Sequence, residues 1–311
     1  TELSSGRVRL TGKLVVHNLT TELSQQGHAK PLVRNVDFEL RPGECLGLVG
    51  ESGCGKSVTA LSLAALAASP PLQIVSGTVE LDGQYILHFS LRILQDIRVK
   101  RVSSIFQDPL ATLNPVLTIG EQLIQVIRRH QSLSAGGCYA EALSLLSKVR
   151  IPSPENRLKA YPHQLSGGMR QRVCNGIALA NRPEVLIADE PTTALDVATQ
   201  AEILSLLNDL RHTTLADSQT GQKTGLSVLF ITHDLGVVST ICEKVAVMYA
   251  GQIVEFGETK SLLESPEHPY TQALLECTPR LGAEVKVLGG IPGTPPLLSL
   301  IHISEPTRRR T

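Results

Sequence analysis

Three short stretches carry residue types at spacings that suit phosphate chemistry. The first is Gly50-Glu51-Ser52-Gly53-Cys54-Gly55-Lys56-Ser57, which fits the pattern G-x-x-x-x-G-K-[ST]. Its glycines let the backbone curl so that several N–H groups face one anion. The helix expected to start behind it adds the positive end of its dipole. Lys56 can reach outer phosphates, and the Ser57 hydroxyl can ligate Mg²⁺. Gly50 to Ser57, with Val58 next to them, are the candidate nucleotide-binding residues. The second stretch is Val185-Leu186-Ile187-Ala188-Asp189-Glu190, an apolar run ending in two carboxylates. Asp189 is placed to meet a metal ion on the loop nucleotide, and Glu190 to hold an attacking water as general base. The third, Leu165-Ser166-Gly167-Gly168-Met169-Arg170-Gln171, sets a serine and two glycines before a helix. That is either a second anion-binding helix start or an ordinary helix cap.

The elements around these stretches give them their context. Cys45 to Val49 reads as a strand into the glycine loop, and Val58 to Leu66 as a helix behind it. Residues 8 to 20 and Val33 to Leu40 alternate and predict strands, with a polar loop over 21 to 31. Ser76 to Leu81 is a further strand. A basic, helix-like stretch from 91 leads into Val102 to Phe106, which ends at Gln107-Asp108-Pro109. Residues 118 to 150 show helical periodicity, with Gly136-Gly137 expected to separate two helices. Met169 to Ala180 predicts another helix. Strands at Val185 to Ala188, Ser227 to Ile231 and Val245 to Tyr249 then alternate with helices at Ala198 to Leu210 and Leu235 to Ile241. That alternation signals a parallel sheet flanked by helices. Residues 212 to 225 read as a surface loop, and Thr259 to Glu264 and Tyr270 to Leu275 as late helical segments.

Bulk composition narrows the function. The chain has 311 residues, 42 % apolar and 19 % charged, which is globular rather than disordered. Lys+Arg and Asp+Glu both number 29, so no cationic excess is available for a nucleic-acid backbone. Aromatics make up 3 % with no Trp, which leaves few platforms for stacked bases. Six cysteines lie at 45, 54, 138, 174, 242 and 277 without a C-x-x-C pair. They read as reduced thiols, with neither a disulfide framework nor a zinc site. No run of about 18 apolar residues could cross a membrane, and no signal peptide is visible. The chain starts at Thr1 rather than Met, so an incomplete N-terminus is expected.

Taken together and in order, GESGCGKS (50 to 57), Gln107, LSGGMRQ (165 to 171), VLIADE (185 to 190), Ala194-Leu195-Asp196 and His233 resemble the ATPase subunit of an ABC transporter. The resemblance spans about residues 14 to 296. It implies an α/β, P-loop NTPase core with a mostly parallel sheet, an N-terminal antiparallel β region and an inserted α-helical subdomain. The implied division is 8–107 and 178–260 for the ATP-binding core, 108–177 for the helical insertion and 261–296 for a C-terminal extension. ATP and Mg²⁺ are the implied cofactors.

The resemblance also assigns roles. Gln107 matches the glutamine that contacts Mg²⁺ and water and senses the membrane subunit; otherwise it is a polar strand end. Asp196 matches an aspartate that crosses the dimer interface; a helix N-cap is the plainer reading, and the two are compatible. His233 matches the histidine that contacts the terminal phosphate, where a lone histidine after a strand would be structural. Ser166, Gly167 and Gly168 would close the nucleotide site of a second ATPase subunit, head to tail. The implied partners are that subunit, identical or related, two integral membrane permease subunits and, indirectly, an extracytoplasmic substrate-binding protein, with no nucleic acid. The implied location is peripheral, on the cytoplasmic face of the membrane.

GKSVTA, FQDPLATLNPVLTIGEQL, ADEPTTALDV and SPEHPYTQALL (265 to 275) narrow the resemblance to the oligopeptide, dipeptide and nickel uptake subfamily. Val58-Thr59 and Met169-Arg170 resemble the first of two paired ATPases. Peptide is the first expected solute and nickel the second. The rival reading is a soluble ABC ATPase acting on ribosome or DNA, but the single ATPase half, short insertion and neutral charge oppose it. A regulatory subunit with dead chemistry is opposed by Lys56, Asp189, Glu190 and His233 all being present.

Two departures stand out. The family usually stacks an aromatic on adenine, and here Glu22-Leu23 stands in register, with no Phe or Tyr from 1 to 37. Weaker ATP affinity is expected unless another side chain or the partner substitutes, and Leu23→Tyr should then raise it. Second, Leu297 to Thr311 lacks the cysteine-rich continuation that follows Ile291-Pro292-Gly293-Thr294-Pro295-Pro296 in the subfamily. Its Leu300 to Arg308 resembles translated sequencing-adaptor sequence and is expected to pack against nothing.

Overall fold

The computed structural model describes residues 12–277, apart from 26–27, 68–70, 194, 213–214 and 217–222. The expectations for residues 8–11, for Ala194 and for the segment beyond 277 therefore lie outside the described residues. The first strands, β1 (Leu14–Gln25) and β2 (His28–Leu40), pair antiparallel from Leu14↔Leu40 to Gln25↔His28. The loop expected over 21 to 31 is thus largely strand. Inward Thr21 and Leu23 continue the alternation through polar sequence, and the buried Thr21 hydroxyl is satisfied by Ser62 Oγ at 2.8 Å.

Next come β3 (Cys45–Val49), α1 (Lys56–Leu63), β4 (Leu72–Leu81), β5 (Gln84–Tyr85), α2 (Leu91–Lys100) and β6 (Val102–Ile105). Strands β2, β1, β4 and β5 form one antiparallel sheet in that order. The chain then makes only helices: α3 (Pro109–Thr112), α4 (Ile119–His130), α5 (Ala135–Lys148), α6 (Pro154–Leu158) and α7 (Gly167–Leu179). These bury a cluster of their own that includes Leu123, Ile127, Leu146 and Val173. Gly136-Gly137 does not separate two helices. Ser134 caps α5 by accepting from Gly137 N–H at 3.2 Å, so both glycines sit in its first turn, and the break falls at 131–134.

The remaining elements are β7 (Val185–Asp189), α8 (Val197–His212), the short pair β8 (Leu215–Ala216) and β9 (Lys223–Thr224), β10 (Ser227–Thr232), α9 (Leu235–Ile241), β11 (Lys244–Tyr249), β12 (Gln252–Glu258), α10 (Thr259–Glu264) and α11 (Pro269–Glu276). The segment read as a loop over 212 to 225 thus contains a two-stranded antiparallel ladder. The six-stranded sheet runs β12-β11-β3-β10-β7-β6. All its neighbours are parallel except β11 and β12. Strands β3, β7 and β10 are buried at every residue, which is why they read as continuous apolar runs without alternation. Among the described residues no helix is long and apolar enough to cross a membrane. All six cysteines are free thiols, and no group of three potential metal-ligating His, Cys, Asp or Glu side chains is found among the described residues.

Candidate nucleotide site

Adjacent parallel strands deliver the chemistry-bearing residues at their C-terminal ends: β3 leads to the glycine loop, β10 to His233, β7 to Asp189 and Glu190, and β6 to Gln107. Open parallel sheets bind ligands at that edge. The loop geometry explains its glycines. A Cβ on Gly50 (φ 152°) would lie 2.2 Å from the Met248 carbonyl oxygen, and one on Gly55 (φ 113°) 2.7 Å from that of Leu32. Gly55 precedes α1 in a left-handed conformation, so Lys56 and Ser57 form the first turn of that helix. Lys56 is buried, and its Nζ donates to the carbonyls of Gly50 and Glu51, both at 2.8 Å. Cys54 lies against it; burial pushes this thiol up, despite the nearby lysine charge.

Asp189 is 4 % exposed, and its Oδ1 has no hydrogen-bond partner. Burial raises its pKa, which the hydrogen bond from Ser57 and the Lys56 charge only partly offset. Glu190 behaves oppositely. Burial alone would raise its pKa, but hydrogen bonds from His233 and Thr193, with the His233 and Lys56 charges, outweigh that and hold it below the usual carboxylate value. His233 Nδ1 lies 3.0 Å from Glu190 Oε1, Thr193 Oγ1 donates to Oε2 at 2.8 Å, and Gln107 Nε2 donates to Oε2 at 3.3 Å. A carboxylate can only accept, so Nδ1 carries the proton and Nε2 stays available to another partner. Glu190 itself is left-handed at φ 51°, the kind of local strain that concentrates at functional sites.

The structure thus gathers Lys56, Ser57 and Asp189 in one set of contacts, and Gln107, Glu190 and His233 in another. Ser166 and Asp196 cap helices instead. Ser166 Oγ accepts from Met169 N–H at 3.3 Å, and Asp196 accepts from Thr199 N–H at 3.0 Å and Thr199 Oγ1 at 2.8 Å. The cap reading of both is therefore met within this chain. Ser166 and Gly167 are exposed, and a Cβ on Gly167 would meet nothing within 4 Å, so that helix start is open. Thr193 is a further Glu190 partner; its signal in the sequence is its place three residues on, inside ADEPTTALDV. Leu23, expected in register with the family's aromatic, is only 3 % exposed within the antiparallel sheet. A tyrosine there would have to displace packed neighbours, which corrects the expected gain from Leu23→Tyr.

The buried, unpartnered Asp189 oxygen beside the Ser57 hydroxyl suits a hard cation with oxygen ligands such as Mg²⁺. Comparison with known proteins places the chain among nucleotide-binding subunits. Residues 33–193 match the family model for ABC transporters, and residues 254–305 match that for the oligopeptide/dipeptide transporter C-terminal region, running past residue 296. The chain is 45 % identical over 91 % of its length to a dipeptide transport ATP-binding protein, DppD, of Bacillus subtilis, covering 82 % of that protein. It is also 45 % identical over 86 % of its length to an oligopeptide transport ATP-binding protein, OppD, of Salmonella typhimurium, covering 76 % of it. A solved dimer of the ATP-binding cassette MJ0796, bound to ADP and Pi, superposes with a TM-score of 0.68 at 26 % identity, covering 79 % of this chain and 98 % of that one. The motifs, the strand-end constellation and these likenesses together show that the chain belongs to the ATP-binding subunits of ABC transporters, in the oligopeptide/dipeptide group.

Proposed function

We propose that this subunit drives import of di- or oligopeptides by binding and hydrolysing ATP between two head-to-tail ATPase subunits. The observation that carries the hydrolytic assignment is Glu190, ionised and held by three separate side chains at the strand ends. It takes the proton of the attacking water. His233 fixes one of its oxygens while its Nε2 remains for the terminal phosphate, and Gln107 fixes the other. The amides of Gly50 to Val58 and the Lys56 ammonium cradle the phosphates. Ser57, Asp189 and Gln107 would hold Mg²⁺, which when bound neutralises charge on the outer phosphate oxygens.

Ser166, Gly167 and Gly168 close the site of the partner ATPase, and Asp196 lies at that crossing. Their open helix start supports this role, as does the dimeric state of the solved cassette. The division into core, helical insertion 108–177 and C-terminal extension serves the same mechanism. Gln107 and the helices after it pass the closing motion to two membrane permease subunits at the cytoplasmic face. A substrate-binding protein delivers the solute from outside. The peptide assignment rests on the dipeptide and oligopeptide relatives.

Positioned acid–base groups contribute about 10²–10⁴-fold. Glu190→Gln should therefore bind ATP and hydrolyse it at least about a hundredfold more slowly. Turnover close to wild type would remove Glu190 as the base.

A further inference from the structure

Helix α11 lies 219 residues from the glycine loop and yet is bonded to it: the Tyr270 phenol oxygen accepts the Glu51 N–H at 3.0 Å. The Tyr270 ring is 8 % exposed and rests on Tyr249, with centroids 4.5 Å apart. Tyr249 ends β11, the strand whose Met248 carbonyl crowds Gly50. Burial pushes the phenol up to about 12, so it meets the loop as a neutral acceptor at any working pH. The helix that carries it is anchored in turn. Glu255 of β12 accepts from Glu267 N–H at 2.9 Å and His268 N–H at 3.1 Å, and His268 Nδ1 accepts from Tyr270 N–H at 3.1 Å.

The Gly50–Glu51 peptide is held from both sides, its N–H by Tyr270 and its carbonyl, that of Gly50, by Lys56. A phosphate that draws Lys56 away releases the carbonyl. The Gly50–Glu51 peptide, with no Cβ at Gly50 to restrain it, then keeps its plane through the phenol alone. A loop that loses this hold must be ordered by the ligand, and that ordering is taken from affinity.

Taking Gly50–Ser57 as the phosphate site, we infer that Tyr270 is a positioning residue for the loop, through which the C-terminal unit β12–α11 sets the affinity for ATP. The test is ATP binding and steady-state ATPase kinetics of Tyr270→Phe in the full chain, with Lys56→Ala as control. Tyr270→Phe keeps the ring and removes only the acceptor. It should raise the Kd and KM for ATP about three- to tenfold, the size of one lost hydrogen bond, with kcat within about twofold. Glu255→Gln, which loosens the anchor of α11, should shift KM the same way. An unchanged Kd and KM in Tyr270→Phe overturns the inference, whether or not the melting temperature falls. A fall in kcat alone also overturns it. If Lys56→Ala binds ATP like wild type, the phosphate-site reading fails instead. Loss of affinity in Lys56→Ala with a wild-type Tyr270→Phe rejects the Tyr270 role alone.

Discussion

Asp189→Asn should stabilise the nucleotide-free protein and weaken the nucleotide-bound one. Asp189 is 4 % exposed, and its Oδ1 is unpartnered. An unsatisfied buried polar group costs about 1–3 kcal/mol, and more when charged. Three neighbours bear on the sign: the Ser57 hydroxyl and the Lys56 ammonium favour the carboxylate and the Glu190 charge opposes it, and with burial the largest influence the pKa sits above its ordinary 3.8. A carboxyl whose folded pKa is raised lowers stability once the pH exceeds its ordinary value, and that penalty grows until the pH passes the folded value. Asparagine keeps the shape and removes the charge, so about 1 kcal/mol or more should be recovered. For a large domain each kcal/mol moves the melting temperature about 2–4 °C, so the free variant should melt at least about 2 °C higher.

Loading reverses the order. A ligand at a hundred times its Kd stabilises the native state by about 2.7 kcal/mol, or about 5–10 °C on the same scale. If Asp189 is a Mg²⁺ ligand, the part of that shift that depends on Mg²⁺ is lost in the variant. Differential scanning fluorimetry of both proteins, free, with ATP and EDTA, and with ATP and Mg²⁺, reads all the terms. The reasoning is refuted if free Asp189→Asn melts at or below wild type. It is refuted equally if the variant keeps the full Mg²⁺-dependent shift.

Two further outcomes follow from the same contacts. Glu190 has a depressed folded pKa, so the stability it contributes is complete above its ordinary 4.5 and lost as pH falls through the lower folded value. The stability difference between wild type and Glu190→Gln should be flat above about pH 4.5 and shrink below it, measured by urea unfolding across pH. Leu23→Tyr, at a position only 3 % exposed, should destabilise by about 1–3 kcal/mol through overpacking and leave ATP affinity without gain, as melting and ATP titration would show.

What could be read from sequence was chemistry that is local in the chain. The glycine loop, Lys56 and Ser57 are contiguous, and their strand and helix announce themselves by apolar runs. Asp189 and Glu190 were legible for the same reason. The hairpin over 21 to 31 was hidden because Thr21, a polar residue, fills an inward position and spends its hydroxyl on Ser62. The break between α4 and α5 was misplaced because glycines look like separators, whereas the capping hydroxyl of Ser134 fixes the helix start. Tyr270 on Glu51 left no local trace, whereas Thr193 on Glu190 is a contact only three residues apart. The Tyr270 contact depends on where a distant helix start arrives in space, as the His233 and Gln107 contacts to Glu190 depend on distant strand ends. The distinction has a physical consequence for the site. Its reactive groups are encoded locally, but the orientation of Glu190 and the plane of the Glu51 peptide are set by residues brought in by the fold. Substitutions at Thr193 or Tyr270 should therefore alter the action of the phosphate loop and base without touching the glycine loop, Asp189 or Glu190.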